Sequence, residues 1–283
     1  MSVAERHGRD APPRPLGASP PRGTSDLSQR ILVGVPAVAL ALFFVIVGGA
    51  PFTVFLAVFG LIGLHELYAM YPQAHASRLA GFLALIGLMV AADLGERETL
   101  VLVLVCAVPL TFLLTLMQPR GGAPAIAVTL LGVLWIGLAL AHAVLLRELP
   151  DGRDLIINVM VGTFVGDTGA YLGGRMFGRT PLSPSISPNK TVEGLAIGIV
   201  AAIAGVWIAG LYEDWLSGTD ALILGAAIAV VAPLGDLFES YLKRDAGTKD
   251  TGKVFGAHGG ALDRLDALFF TVVATYYVWG ALS

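Results

Sequence analysis

Nine long apolar runs dominate the chain, near positions 31–50, 52–71, 79–94, 98–117, 125–147, 155–174, 191–212, 221–242 and 262–282. A bilayer core about 30 Å thick is crossed by roughly 20 helical residues, so all but the short third run have the length of a membrane helix. The runs are continuously apolar rather than alternating, which favours helices over the strands of a lipid-embedded barrel. The pattern therefore predicts an all-α, polytopic integral membrane protein with about nine transmembrane helices, occupying residues 31–283.

Residues 1–30 break the pattern. Arg6, Arg9, Arg14, Arg22 and Arg30 stand among prolines, glycines and serines with few large apolar side chains, the composition of a disordered basic tail. A cleaved signal peptide would need a shorter apolar core and a small-x-small cleavage site. The run from Ile31 to Ala50 has neither, so it reads as a signal anchor.

Basic residues orient the spans. With a cytoplasmic N-terminus, fifteen of the eighteen Lys and Arg residues fall on the inner side, leaving Arg97, Arg147 and Arg153 outside. Removing or adding one span would scramble that asymmetry. The expectation is a multi-pass protein of the cell membrane with its N-terminus in the cytoplasm and its C-terminus outside. The sequence shows no internal repeat of the kind that marks many transporters.

Composition agrees: 55% of residues are hydrophobic and 14% charged, against about 25% charged in soluble domains. A net charge of -3 gives no sign of nucleic-acid binding, and the single cysteine, Cys106, can form no internal disulfide.

Polar residues concentrate in two inner segments. The first runs from Gly166-Asp167-Thr168-Gly169 through Arg175 and Arg179 to Ser187-Pro188-Asn189-Lys190-Thr191-Val192-Glu193-Gly194. The second begins inside the eighth run at Asp236-Leu237-Phe238-Glu239-Ser240 and continues through Lys243-Arg244, Lys249-Asp250 and His258-Gly259-Gly260 to Asp263-Arg264-Leu265-Asp266. At 1.5 Å rise per residue, Asp167 and Asp236 lie in the inner half of the bilayer, where a charge costs about 2.5–3.5 kcal/mol on insertion scales. A bound cation or a Lys or Arg partner must offset that cost.

Asp236, Glu239, Ser240 and Lys243 share a helix face, at i, i+3, i+4 and i+7, and Asp263 and Asp266 form an i, i+3 pair. Converging carboxylates suit a hard ion such as Mg²⁺, which takes one or two carboxylates and completes its shell with water and phosphate oxygens. The neighbouring cations, with a glycine turn whose amides can approach an anion closely, suit a polyphosphate. The plainer readings are topological anchors for the basic residues, a structural ion pair for the carboxylates, and close helix packing for Gly173, Gly174 and Gly178. His65 and Glu66 in the second run are ambiguous between structure and function. His142 fits a packed helix position.

The stretch from Ser240 to Asp266 resembles the signature of the phosphatidate cytidylyltransferases, or CDP-diacylglycerol synthases. Ser240, Leu242, Lys243, Arg244, Lys249, Asp250, Gly252, Phe255, Gly256, His258, Gly259, Gly260, Asp263, Arg264, Leu265 and Asp266 all match its pattern. Ala261 departs from it, where the family prefers a larger apolar residue. The upstream segments at 167–171 and 187–194 are also similar to the family.

The resemblance implies an enzyme that makes CDP-diacylglycerol and pyrophosphate from CTP and phosphatidic acid in phospholipid biosynthesis. It implies Mg²⁺, one ion or two, held by Asp236 and Asp263 with Asp167, Glu239 and Asp266 in support. Lys243, Arg244, Lys249, Asp250, His258 and Arg264 would serve catalysis. Ser187, Lys190, Thr191, Glu193, Ser240, Gly259 and Gly260 would shape the substrate site. Homodimerisation is implied by the resemblance alone. The rival readings are another membrane CTP-dependent lipid kinase or transferase and an ion-coupled transporter.

Overall fold

The computed structural model describes residues 24–95, 97–118, 120–252 and 259–283. Its helices are α1 (Thr24–Val47), α2 (Gly49–Met70), α3 (Arg78–Asp93), α4 (Arg97–Leu116), α5 (Ala123–Gly132), α6 (Leu138–Arg147), α7 (Gly152–Phe177), α8 (Val192–Gly210), α9 (Gly218–Asp245) and α10 (Leu262–Leu282). A π-helical turn, Val133–Gly137, joins α5 and α6 into one rod. Each of the nine apolar runs thus corresponds to one helical rod. Among the described residues, seven of these rods are long and apolar enough to cross a bilayer unaided, and α3, at 16 residues, falls short. The chain is an all-α polytopic membrane protein.

Two boundaries differ from the sequence reading. Helix α1 begins at Thr24, inside the stretch expected to be a tail, and residues 1–23 of that stretch lie outside the described residues. Between α7 and α8 the inner loop forms a short antiparallel hairpin, β1 (Pro181–Ser183) with β2 (Ser187–Thr191), which its prolines and serines did not announce.

Close approach between α7 and α8 is set by glycine. A Cβ at Gly194 would lie 2.7 Å from the Ala170 carbonyl, and one at Gly198 would lie 2.8 Å from the Gly166 carbonyl. Only small residues let backbones pack at that distance. Gly173 belongs to the same seam, against Ile197. Thr191 then starts α8 as its N-cap, accepting from the Gly194 amide at 3.1 Å.

The π-helical turn presents Trp135, buried, edge-on to Phe238 of α9 and Phe269 of α10, with ring centroids 5.0 and 5.7 Å apart. Edge-to-face pairs at this spacing are favourable beyond the area they bury. They lock the fifth rod against the two helices that carry most of the polar groups. His142, further along that rod, is a packed residue as expected: its ring nitrogens meet the Leu138 carbonyl at 2.7 Å and the Tyr277 hydroxyl at 3.1 Å.

Candidate active site at the junction of α9 and α10

The last three turns of α9 carry Asp236, Glu239, Ser240 and Lys243 on one face, as the spacing predicts. Two i, i+4 pairs form along it: Ser240 Oγ donates to Asp236 Oδ1 at 3.3 Å, and Lys243 Nζ to Glu239 Oε2 at 2.6 Å. The same ammonium reaches across to Asp263 Oδ1 on the first turn of α10, at 2.7 Å. Lys243 and Asp263 are 14% and 11% exposed and Glu239 is fully buried. Three charges this deep persist only because they are paired.

The other oxygen of Asp263 takes three donors: the Thr251 amide at 3.0 Å, the Thr251 hydroxyl at 2.9 Å and the Gly260 amide at 2.8 Å. Gly259 makes that turn possible. Its φ of +82° disfavours any side chain, and a Cβ there would stand 2.6 Å from Asp263 Oδ2.

Lys190, at the end of β2, forms an ion pair with Asp236. The hairpin is thereby tied to α9. Asp167 of α7 lies within electrostatic range of both, and Asp266 of α10 within range of Asp236 and Glu239. The carboxylates picked from the sequence therefore form one connected group, drawn from α7, α9 and α10.

The other predicted residues lie around this group. Thr191 caps α8. Glu193 accepts from the Arg179 amide at 3.0 Å, the Thr180 amide at 3.2 Å and the Thr180 hydroxyl at 2.9 Å, fixing the start of the hairpin. Arg244 is exposed and donates through Nε to the Ile186 carbonyl at 3.2 Å. Lys249, Asp250 and Arg264 are exposed and Ser187 is half-buried. His258 lies outside the described residues.

The glycine turn is used differently from the sequence expectation of amides open to an anion. The Gly260 amide is taken by Asp263, and the next two, of Ala261 and Leu262, by Glu66 at 3.1 Å each. Glu66, buried in α2, also accepts from the Thr251 hydroxyl at 3.3 Å. Gly252 and Gly260 leave the space that its carboxylate fills. Sequence reading left Glu66 ambiguous and passed over Thr251. The one signal was a carboxylate inside an apolar run.

Among the described residues, no three His, Cys, Asp or Glu side chains form a ready-made metal cage. The donor set nonetheless fits a hard cation. Glu239 Oε1 is buried without a hydrogen-bond partner among the described residues, with the Asp266 carboxyl in range. An orphaned carboxylate oxygen of this kind is stabilised by a proton or a cation.

The model of the cytidylyltransferase family matches residues 28–282. The chain belongs to the cytidylyltransferase family. The phosphatidate cytidylyltransferase of Bacillus subtilis is 33% identical to it over 267 residues, covering 91% of this chain and 99% of the relative. That of Brucella suis is 33% identical over 264 residues, covering 91% and 94%. A shorter match, to the phosphatidate cytidylyltransferase of Helicobacter pylori, reaches 48% over 122 residues, covering 42% of this chain and 44% of the relative. The family match spans the connected carboxylates, the hairpin and Glu66 alike.

Proposed function

We infer that this chain is a phosphatidate cytidylyltransferase, joining CTP to phosphatidic acid to give CDP-diacylglycerol and pyrophosphate. The observation that carries the reading is the convergence of Lys190, Asp236, Lys243 and Asp263 in one network within a chain of this family. An oxygen of the lipid phosphate attacks the α-phosphorus of CTP, a P–O bond forms, and the bond from that phosphorus to the β-phosphate oxygen breaks. The nucleophile is a phosphate monoester whose second pKa is near 6, so it is largely ionised at neutral pH and needs little base assistance. What the reaction requires is charge neutralisation and in-line positioning.

Lys190 and Lys243 supply neutralising charge from opposite sides of the carboxylate group. Lys190 is about a third exposed and can turn from Asp236 to an incoming phosphate, whereas Lys243, wedged between Glu239 and Asp263, stays to keep α9 and α10 in register. Asp236, Glu239 and Asp266, with Asp167 beside them, would hold Mg²⁺, while Asp263, whose two oxygens are taken by Lys243, Thr251 and Gly260, would support that set from behind rather than bind the ion directly. When bound, it would neutralise the triphosphate and polarise the reacting phosphoryl group. Arg244, Lys249 and Arg264, exposed around this group, suit the outer phosphates and the lipid headgroup.

The basic-residue asymmetry supports a cytoplasmic N-terminus, with the site at the face where CTP is available. The test is pyrophosphate release by the detergent-solubilised protein, with CTP and phosphatidic acid supplied separately and together, and with Mg²⁺ present or chelated. Release that requires both substrates and Mg²⁺ is expected. Release of CDP in place of pyrophosphate would instead indicate a lipid kinase, and ion movement in proteoliposomes without CTP turnover a transporter.

A further inference from the structure

Glu66 is the one acidic side chain of α2, it is 3% exposed, and among the described residues its hydrogen bonds come from the signature segment. Oε1 accepts from the Ala261 amide at 3.1 Å. Oε2 accepts from the Leu262 amide at 3.1 Å and the Thr251 hydroxyl at 3.3 Å. Thr251 in turn donates, through amide and hydroxyl, to Asp263. The amides of Ala261 and Leu262 open α10 and have no partner within the helix. A carboxylate suits that end because the helix dipole places partial positive charge there.

Two glycines are shaped around this contact. A Cβ at Gly252 would come within 2.7 Å of the Glu66 carboxyl carbon. A Cβ at Gly260 would collide with both oxygens of that carboxylate and with the Thr251 hydroxyl. The segment is thus threaded past a carboxylate that belongs to a distant helix, and the position of Asp263 follows from where that carboxylate sits.

We propose that Glu66 is a positioning residue for the transfer reaction: from α2 it anchors both sides of the signature segment and so sets the place of Asp263 and, through it, Lys243. The proposal rests on the cytidylyltransferase reading for its activity readout but not for its structural one. Glutamine in its place presents an amide nitrogen to one of two backbone N–H groups, so at least one donor faces a donor. Aspartate is one methylene too short to reach both.

The experiment compares purified Glu66→Gln, Thr251→Val and Thr251→Ser with the unaltered protein. It measures pyrophosphate release as a function of CTP and of phosphatidic acid, thermal unfolding in detergent, and amide hydrogen exchange across 251–263. Tyr68→Phe is the packing control. Tyr68 is buried two residues along α2 and donates to the Thr129 carbonyl at 3.1 Å, away from the signature segment.

Loss of a supporting partner behind an active-site carboxylate typically costs about 10- to 100-fold in activity. Glu66→Gln and Thr251→Val should fall in that range for kcat/KM with CTP, with faster exchange at Gly260, Ala261 and Leu262. Thr251→Ser should keep most activity, and Tyr68→Phe should lower thermal stability without changing KM for CTP. Folded Glu66→Gln protein with unaltered kcat/KM and unaltered exchange would overturn the proposal. So would a loss confined to unfolding temperature. If Glu66→Gln does not fold, the Thr251 pair decides. If the unaltered protein releases no pyrophosphate, the functional reading falls, and the exchange comparison still decides the placement of Asp263.

Discussion

Lys243 donates to Asp263 at 2.7 Å while also holding Glu239 at 2.6 Å, so a single ammonium joins the end of α9 to the start of α10. Removing it strands two buried carboxylates. Breaking a buried pair from one side costs about 3–5 kcal/mol, and Lys243→Met should lose an amount of that order along with nearly all turnover. Lys243→Met combined with Glu239→Gln should recover part of the stability, since one uncompensated charge is gone, yet none of the activity. Thermal unfolding and pyrophosphate release, measured on the same preparations, check both halves.

Lys190 and Asp236 are paired in a more open setting, 30% and 31% exposed. Half-solvated pairs contribute under about 1 kcal/mol. Lys190→Ala should therefore unfold within a few degrees of the unaltered protein while its kcat/KM for CTP falls by about 100-fold or more. That magnitude corresponds to losing one charged contact to a phosphate in the transition state, about 3 kcal/mol. A parallel loss of stability and activity would assign the pair to the scaffold instead.

Gly259 and Gly247 both have positive φ, +82° and +69°, but a Cβ at Gly247 meets nothing within 4 Å while one at Gly259 strikes the Asp263 carboxylate. Alanine at Gly247 should cost only backbone strain, about 1 kcal/mol, with turnover kept. Alanine at Gly259 should cost more, about 2–3 kcal/mol once the clash is included, and should reduce turnover at least tenfold. Comparing the two variants by unfolding temperature and by pyrophosphate release separates conformational strain from displacement of the carboxylate.

Much of this was legible along the chain. Hydropathy located all nine rods because a lipid-facing helix must be apolar over its whole length. The i, i+3, i+4 and i+7 spacing located the working face of α9 because helical periodicity is local. Lys243 and Asp263 stand out in the sequence because both belong to a compact signature, and Asp236 and Glu239 because they are carboxylates inside an apolar run. The hairpin carrying Lys190 was not legible, because its strands are short and rich in proline and serine. Nor was the role of Glu66, whose partners stand 185 to 196 residues away. Nothing in a local pattern reports a contact made across that separation. Thr251 was missed for a related reason: its side chain matters through Asp263 and Glu66, not through its own chemistry.

The route from Glu66 to Asp263 also bears on how the molecule can be taken apart. Helices α7 to α10 contain nearly all of the connected charged groups, and it is tempting to regard them as a self-sufficient catalytic module with α1 to α6 as a passive membrane raft. Two backbone amides and a hydroxyl of that module are completed from α2. A chimera that joined α7 to α10 to the front half of another membrane protein would leave those donors facing lipid-like surroundings, unless the new partner offered a carboxylate at the same depth. The dividing line suggested by the distribution of charge is therefore not one along which this protein can be cut and respliced.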